Sequence, residues 1–190
     1  LKSHHATAEK RYYPLAQEVI TGTYVGDYDY VLDLLDRCYF PTREGVANFH
    51  DNFVDALILA GEEKIAEGKV EQAVTLYKKA FTYPENHQVF LVDERATHDA
   101  QINYCLGEAY AALGQDAEAE KYWKLAAEQD YELKGSKDFR YWTGLALERL
   151  GRKAEAEAIF SALVADGEAA VVTQHVNFYG AEGTTGVTVD

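Results

Sequence analysis

The 190-residue chain contains no methionine, only two cysteines and three prolines, and its 18 Lys and Arg face 32 Asp and Glu for a formal net charge of −14. Each shortage excludes something. Cys38 and Cys105 stand far apart, each inside a helix-like pattern, so neither a disulfide framework nor a CxxC metal or redox motif is available. A reducing, cytoplasmic setting is expected. The deficit of cations excludes a general nucleic-acid binder, because neutralising phosphates needs a Lys/Arg surplus, and it favours basic or neutral partners. No apolar run reaches the roughly 18 residues that span a bilayer, and Leu1-Lys2-Ser3-His4-His5 lacks the basic-then-apolar layout of a signal peptide. The expectation is a soluble chain without a membrane partner. Having no methionine, it reads as a piece of a longer protein. The histidines His4, His5, His50, His87, His98 and His175 nowhere form HExxH or HxH. Their best acidic neighbourhood, Asp93-Glu94 near His98-Asp99, is read as a solvated loop, and neither a metal nor a cofactor is expected.

What is present is apolar material, 47% hydrophobic and 13% aromatic residues, and it recurs. Gly61, Gly107 and Gly144 form one column, Gly68, Gly114 and Gly151 a second, Ala73, Ala119 and Ala156 a third, and Tyr77, Trp123 and Phe160 a fourth. All four share the intervals 46 and 37. Gly114 and Gly151 suit the left-handed residue just past a helix C-terminus. The segments after them, Ala117 to Glu128 and Lys153 to Val164, carry apolar residues at helical spacing. Gly107 and Gly144 are expected to let the second helix of each pair cross closely, with Trp123 and Phe160 filling the space between layers.

The middle copy, Leu106-Gly107-x-x-Tyr110 followed by Gly114, Ala119, Trp123 and Ala126, resembles the tetratricopeptide (TPR) repeat, a helix-turn-helix unit of 34 residues. The longer connection, Thr82 to Thr97, holds Pro84, Asn86 and the run Val89-Phe90-Leu91-Val92, which must pack on something. A degenerate first copy has Gly26 at its turn and Ala8 to Thr21 as its first helix. The expected fold is therefore all-α, a TPR-like solenoid of about four helix pairs over residues 1–170, with hairpins near 8–38, 47–81, 98–129 and 137–166. The β-branched and Gly/Thr-rich residues 171–190 are expected to form an extended or partly ordered tail.

More narrowly, Phe139 to Ala156 and Phe160 to Ala169 resemble the repeat region of large bacterial TPR proteins that carry an upstream mutarotase-like domain of unknown function. That resemblance implies a context of carbohydrate metabolism. The sequence departs from the repeat pattern at Thr143 beside Gly144, at Lys64 and at Pro84.

In a solenoid of this kind the first helices line the concave face. Helical projection places there Asp55, Ile58, Leu59 and Glu62, then Gln101, Tyr104, Cys105 and Glu108, then Asp138, Tyr141, Trp142, Leu145 and Glu148. This groove has carboxylates and aromatics but hardly a cation, which departs from the carboxylate-clamp pattern of Lys, Arg and Asn. The leading expectation is a non-catalytic scaffold, not an enzyme, that docks a basic or apolar protein segment or another domain of its own longer chain. The alternative is a helical accessory segment of a carbohydrate-binding or carbohydrate-active protein, with Trp142 and Tyr141 stacking on a sugar and Glu108 and Asp138 hydrogen-bonding it.

Overall fold

The structure is a computed structural model that describes residues 12–41, 49–87, 98–129 and 139–172. The described residues are all-α, with no strand. They form α1 (Tyr12–Tyr24), α2 (Tyr28–Arg37), α3 (Phe49–Ala66), α4 (Val70–Lys79), a 3-10 turn (Glu85–His87), α5 (Asp99–Ala112), α6 (Asp116–Ala127), α7 (Arg140–Arg149) and α8 (Lys153–Val172). None is long and apolar enough to cross a membrane.

One local device makes every hairpin. Gly26, Gly68, Gly114 and Gly151 all take positive φ, between 69° and 79°. A side chain would be strained there, and glycine ends the first helix at no such cost. Behind each glycine the next amide reaches back five residues: Asp27 to Gly22, Lys69 to Lys64, Gln115 to Tyr110 and Arg152 to Leu147, at 2.8–2.9 Å. These bonds satisfy carbonyls that a helix end leaves orphaned, so three residues between helices suffice.

The columns of the sequence meet inside the hairpins. A Cβ built on Gly61 would lie 2.2 Å from Tyr77, on Gly107 2.4 Å from Trp123, and on Gly144 2.4 Å from Phe160, so each glycine is the floor on which its aromatic ring rests. The first hairpin solves the crossing differently. Val31 stands where the later hairpins have alanine, and Gly22 makes room for it, its added Cβ falling 2.5 Å from Val31 Cγ2.

Each hairpin packs on the next, α2 against α3, α4 against α5 and α6 against α7. The first helices α1, α3, α5 and α7 also touch in succession, without comparable packing between second helices, so the first helices form the tighter, inner layer. A continuous buried cluster, from Leu15 and Val19 through Leu34, Phe53 and Leu57 to Leu106 and Ala119, runs through the first three hairpins. The fourth adds Thr143, Ala146, Leu147 and Ala156. Thr143 donates from its hydroxyl to the Ala126 carbonyl at 2.9 Å and so ties the end of α6 to α7.

Two expectations are corrected. The last helix does not stop near 166 but continues through Gly167 to Val172, so Val171 and Val172 are helical and not tail. Gly167 is exposed with nothing near it, and the helix formers Ala165, Glu168 and Ala169 around it outweigh its cost of about 1 kcal/mol. His98 is not in a solvated loop but buried, edge-on to Phe139 at 4.5 Å and within 3.7 Å of Asp51. Asp93, Glu94, the run 89–92 and the tail 173–190 lie outside the described residues.

The connection after α4 docks through its 3-10 turn. Asn86 Nδ2 donates to the carbonyls of Leu35 (2.8 Å) and Cys38 (2.6 Å), and Phe40 N–H donates back to the Asn86 carbonyl at 2.7 Å. His87, 1% exposed, sits 2.8 Å from the same Leu35 carbonyl through Nε2. His50 stacks on Tyr83 with centroids 4.1 Å apart.

Burial pulls the pKa of His50 down to about 4, helped by His87 and His98 and opposed by Asp51. Burial lowers that of His87 too, against its bond to Leu35. Both rings resist the proton that unfolded ones bind, so the stability they carry is complete above the ordinary value of 6.5 and drains as pH falls below it, for His50 towards about 4. The expected loss between about pH 7 and pH 4.5 is on the order of 2 kcal/mol after allowance for solvent screening. Urea unfolding at the two pH values measures it. His50→Phe, which keeps the stack, should flatten the difference, and an unchanged pH slope in that variant would refute this origin.

Candidate functional site

The inner layer carries two adjoining hollows. One, of about 260 Å³, is bounded by Ile20, Thr23 and Tyr24 of α1, by Asn52, Asp55, Ile58, Leu59 and Glu62 of α3, and by Gln101 and Trp142. The other, of about 220 Å³, is bounded by Glu62 and Ile65 of α3, Tyr77 of α4, Tyr104, Cys105, Glu108 and Ala109 of α5, and Trp142 of α7. Glu62 and Trp142 belong to both, so the hollows form one groove that crosses all four hairpins. The periodicity explains the membership: Asp55, Leu59 and Glu62 recur at three- and four-residue steps on α3, as Gln101, Tyr104, Cys105 and Glu108 do on α5.

Of the residues anticipated from the sequence, the structure brings together Asp55, Glu62, Gln101, Tyr104, Glu108 and Trp142. Tyr104 and Trp142 lie 5.6 Å apart, centroid to centroid. Tyr141 is half exposed and stands against Trp142 at 5.4 Å and Phe160 at 5.9 Å. Asp138 lies outside the described residues. Glu148 is not with the others: it borders a third hollow, of about 610 Å³, on the outer end of the last hairpin with Lys153, Glu157, Phe160, Ser161 and Val164.

One cation reaches the edge of the groove, at Glu108. Arg149 grips Glu108 with two bonds, Nε to Oε1 at 2.9 Å and an Nη to Oε2 at 2.6 Å, and Trp123 Nε1 donates to the same Oε1 at 3.1 Å. Arg149 comes from the end of α7, beyond the positions projected onto the groove. Glu108 is therefore a structural carboxylate that joins the third hairpin to the fourth.

Glu62 has no hydrogen-bond or ion-pair partner among the described residues, and burial among apolar groups raises its pKa. Burial also raises that of Asp55, against the pull of His98, whose Nδ1 lies 4.0 Å away. Both carboxylates thus destabilise the fold slightly at neutral pH, a cost relieved on protonation or by a bound cation. Cys105 is buried and its thiol is pushed up to about 12, first by burial and then by Glu62 and Glu108, so it is not a nucleophile. Tyr104 is raised as well, chiefly by burial. Among the described residues no group of three His, Cys, Asp or Glu could hold a metal ion.

Tyr24 was not anticipated. It is 88% exposed and overhangs the larger hollow. Its only signal in the sequence is an aromatic two residues before the Gly26 turn. No protein-family model matches the chain, and no curated protein and no solved structure matches it.

Proposed function

We propose that this chain is a non-catalytic TPR-type scaffold whose inner groove docks an extended segment of a partner protein, or of another domain of its own longer chain, in a bacterial cytoplasm. The observation that carries this reading is the pair of joined hollows along the first helices. At about 260 and 220 Å³, each is smaller than the roughly 300–1,000 Å³ of a site for a whole small molecule. Two such hollows in a row suit successive side chains of one segment. Recurrence of the turn glycine and of the glycine-aromatic pair supports the repeat family. The two buried free cysteines suit a reducing compartment.

Thermal shift with three panels tests it: basic peptides, neutral peptides, and mono- and oligosaccharides. A peptide at 100 times its Kd adds about 2.7 kcal/mol, which raises Tm by roughly 5–10 °C for a chain of this size. Trp142→Ala should abolish the shift. A response to sugars with none to peptides would overturn the scaffold in favour of a carbohydrate-binding accessory segment.

A further inference from the structure

We infer that the groove reads a two-residue code, one basic side chain seated at Glu62 in the hollow that Tyr24 and Trp142 line, next to one compact apolar side chain in the hollow formed by Tyr77, Tyr104 and Ala109. This rests on the docking function proposed above and gives it a ligand chemistry.

Charge complementarity selects the first seat. Of the three groove carboxylates, Glu108 is satisfied by Arg149 and Trp123, and Asp55 lies beside His98. Glu62 alone has no partner among the described residues. It stands in the wall common to both hollows, open to solvent at its edge, with Ile58, Leu59 and Ile65 lining the hollows beside it. Tyr24 and Trp142 line the same hollow as Glu62, and aromatic rings attract a cation. A guanidinium fits this surround best, since it stacks on aromatic planes while bonding a carboxylate with two parallel N–H groups. An acidic segment would meet the unpartnered Glu62 carboxylate and is rejected.

The second seat is selected by what is absent from it. Around the smaller hollow the Glu108 carboxylate is already engaged and the Cys105 thiol is protonated; Glu62 stands at the edge shared with the first seat, and Ile65, Ala109, Trp142 and the rings of Tyr77 and Tyr104 make up the rest. Away from the Glu62 edge a polar side chain would lose water for little return, whereas an aliphatic one gains from burial.

The test uses an array of decapeptides in which a central residue pair is varied through all combinations within a Gly/Ser frame, probed with the full chain. Pairs of Arg or Lys with Leu, Ile or Val should dominate, Arg above Lys. By calorimetry, Glu62→Gln should weaken the best Arg peptide roughly 10- to 100-fold, as expected for a charge-assisted bond. The same peptide with its Arg changed to Gln should bind Glu62→Gln and the unaltered chain equally. Glu62 is exposed at its edge and unpaired, so the variant keeps the fold, which its unchanged melting temperature would verify. Groove-bound peptides that lack a basic residue, or an Arg peptide indifferent to Glu62→Gln, would overturn the code and leave the docking function standing. Binding indifferent to Trp142→Ala, or no peptide bound at all, would overturn both.

Discussion

Gly107→Leu is expected to cost about 3 kcal/mol or more and to lower the melting temperature by roughly 6–12 °C. The first atom of any side chain there would fall 2.4 Å from Trp123 Cδ1 and Nε1. The indole is not free to yield, because its N–H is bonded to Glu108 and Glu108 is held by Arg149. A bulky residue at 107 thus disturbs the third hairpin and its junction with the fourth together. Gly61→Leu should cost as much, since the Tyr77 ring above it is 2% exposed. Gly144→Leu should cost less, about 1 kcal/mol, because Phe160 borders the open outer hollow and its ring has somewhere to go. Denaturant unfolding of the three variants measures the order. Equal losses, or an unchanged Gly107→Leu, would refute the account of the glycine-aromatic crossing.

The second large effect belongs to Asn86, a residue remote from the groove. Asn86→Ala is expected to destabilise by about 1–3 kcal/mol, the usual cost of depriving a buried carbonyl of its donor. Leu35 lies in the last turn of α2, where carbonyls have no intrahelical partner, and Cys38 lies just past it. With Asn86 gone, Leu35 keeps only its contact with His87 and Cys38 loses its side-chain donor. Asn86→Asp should be worse than alanine, because it sets a carboxylate oxygen against two carbonyl oxygens. Urea unfolding reads both variants, and a loss within 0.5 kcal/mol for Asn86→Ala would show that the 3-10 turn is not a fastening.

How legible these features are in the sequence depends on how they are encoded. The turn glycines and the glycine-aromatic pairs recur at shared intervals, so a column of identical or similar residues exposes them before any coordinate is known. The first hairpin hides its crossing because Gly22 stands four residues before its turn glycine, where the other hairpins have seven, and because its wall residue is Val31 and not alanine. Tyr24, on that hairpin, was hidden with it. Arg149 escaped for a different reason. It lies 41 residues from Glu108, across a connection whose length follows no repeat, and helical projection says nothing about the reach of a long side chain from a helix end. Glu148 misled because its helical face is inner in the middle of the stack, whereas the last hairpin has no described neighbour to enclose it.

The way the core is distributed has a consequence for cooperativity. Among the described residues packing passes only between neighbouring hairpins, and the continuous buried cluster stops at Ala119, so the fourth hairpin hangs on the third through Thr143, the Arg149–Glu108 pair, the Tyr104–Trp142 and His98–Phe139 ring contacts and a few small apolar residues. Amide protons of α7 and α8 should therefore exchange through a partial opening well below the global unfolding free energy, while those of α3 and α5 exchange only with the whole. Trp142 stands on α7, so the groove exists in full only while this last unit is docked. A ligand that touches Trp142 must slow exchange at α7 and α8 more than at α1, and any substitution that loosens the fourth hairpin weakens binding in proportion to the docked fraction it removes.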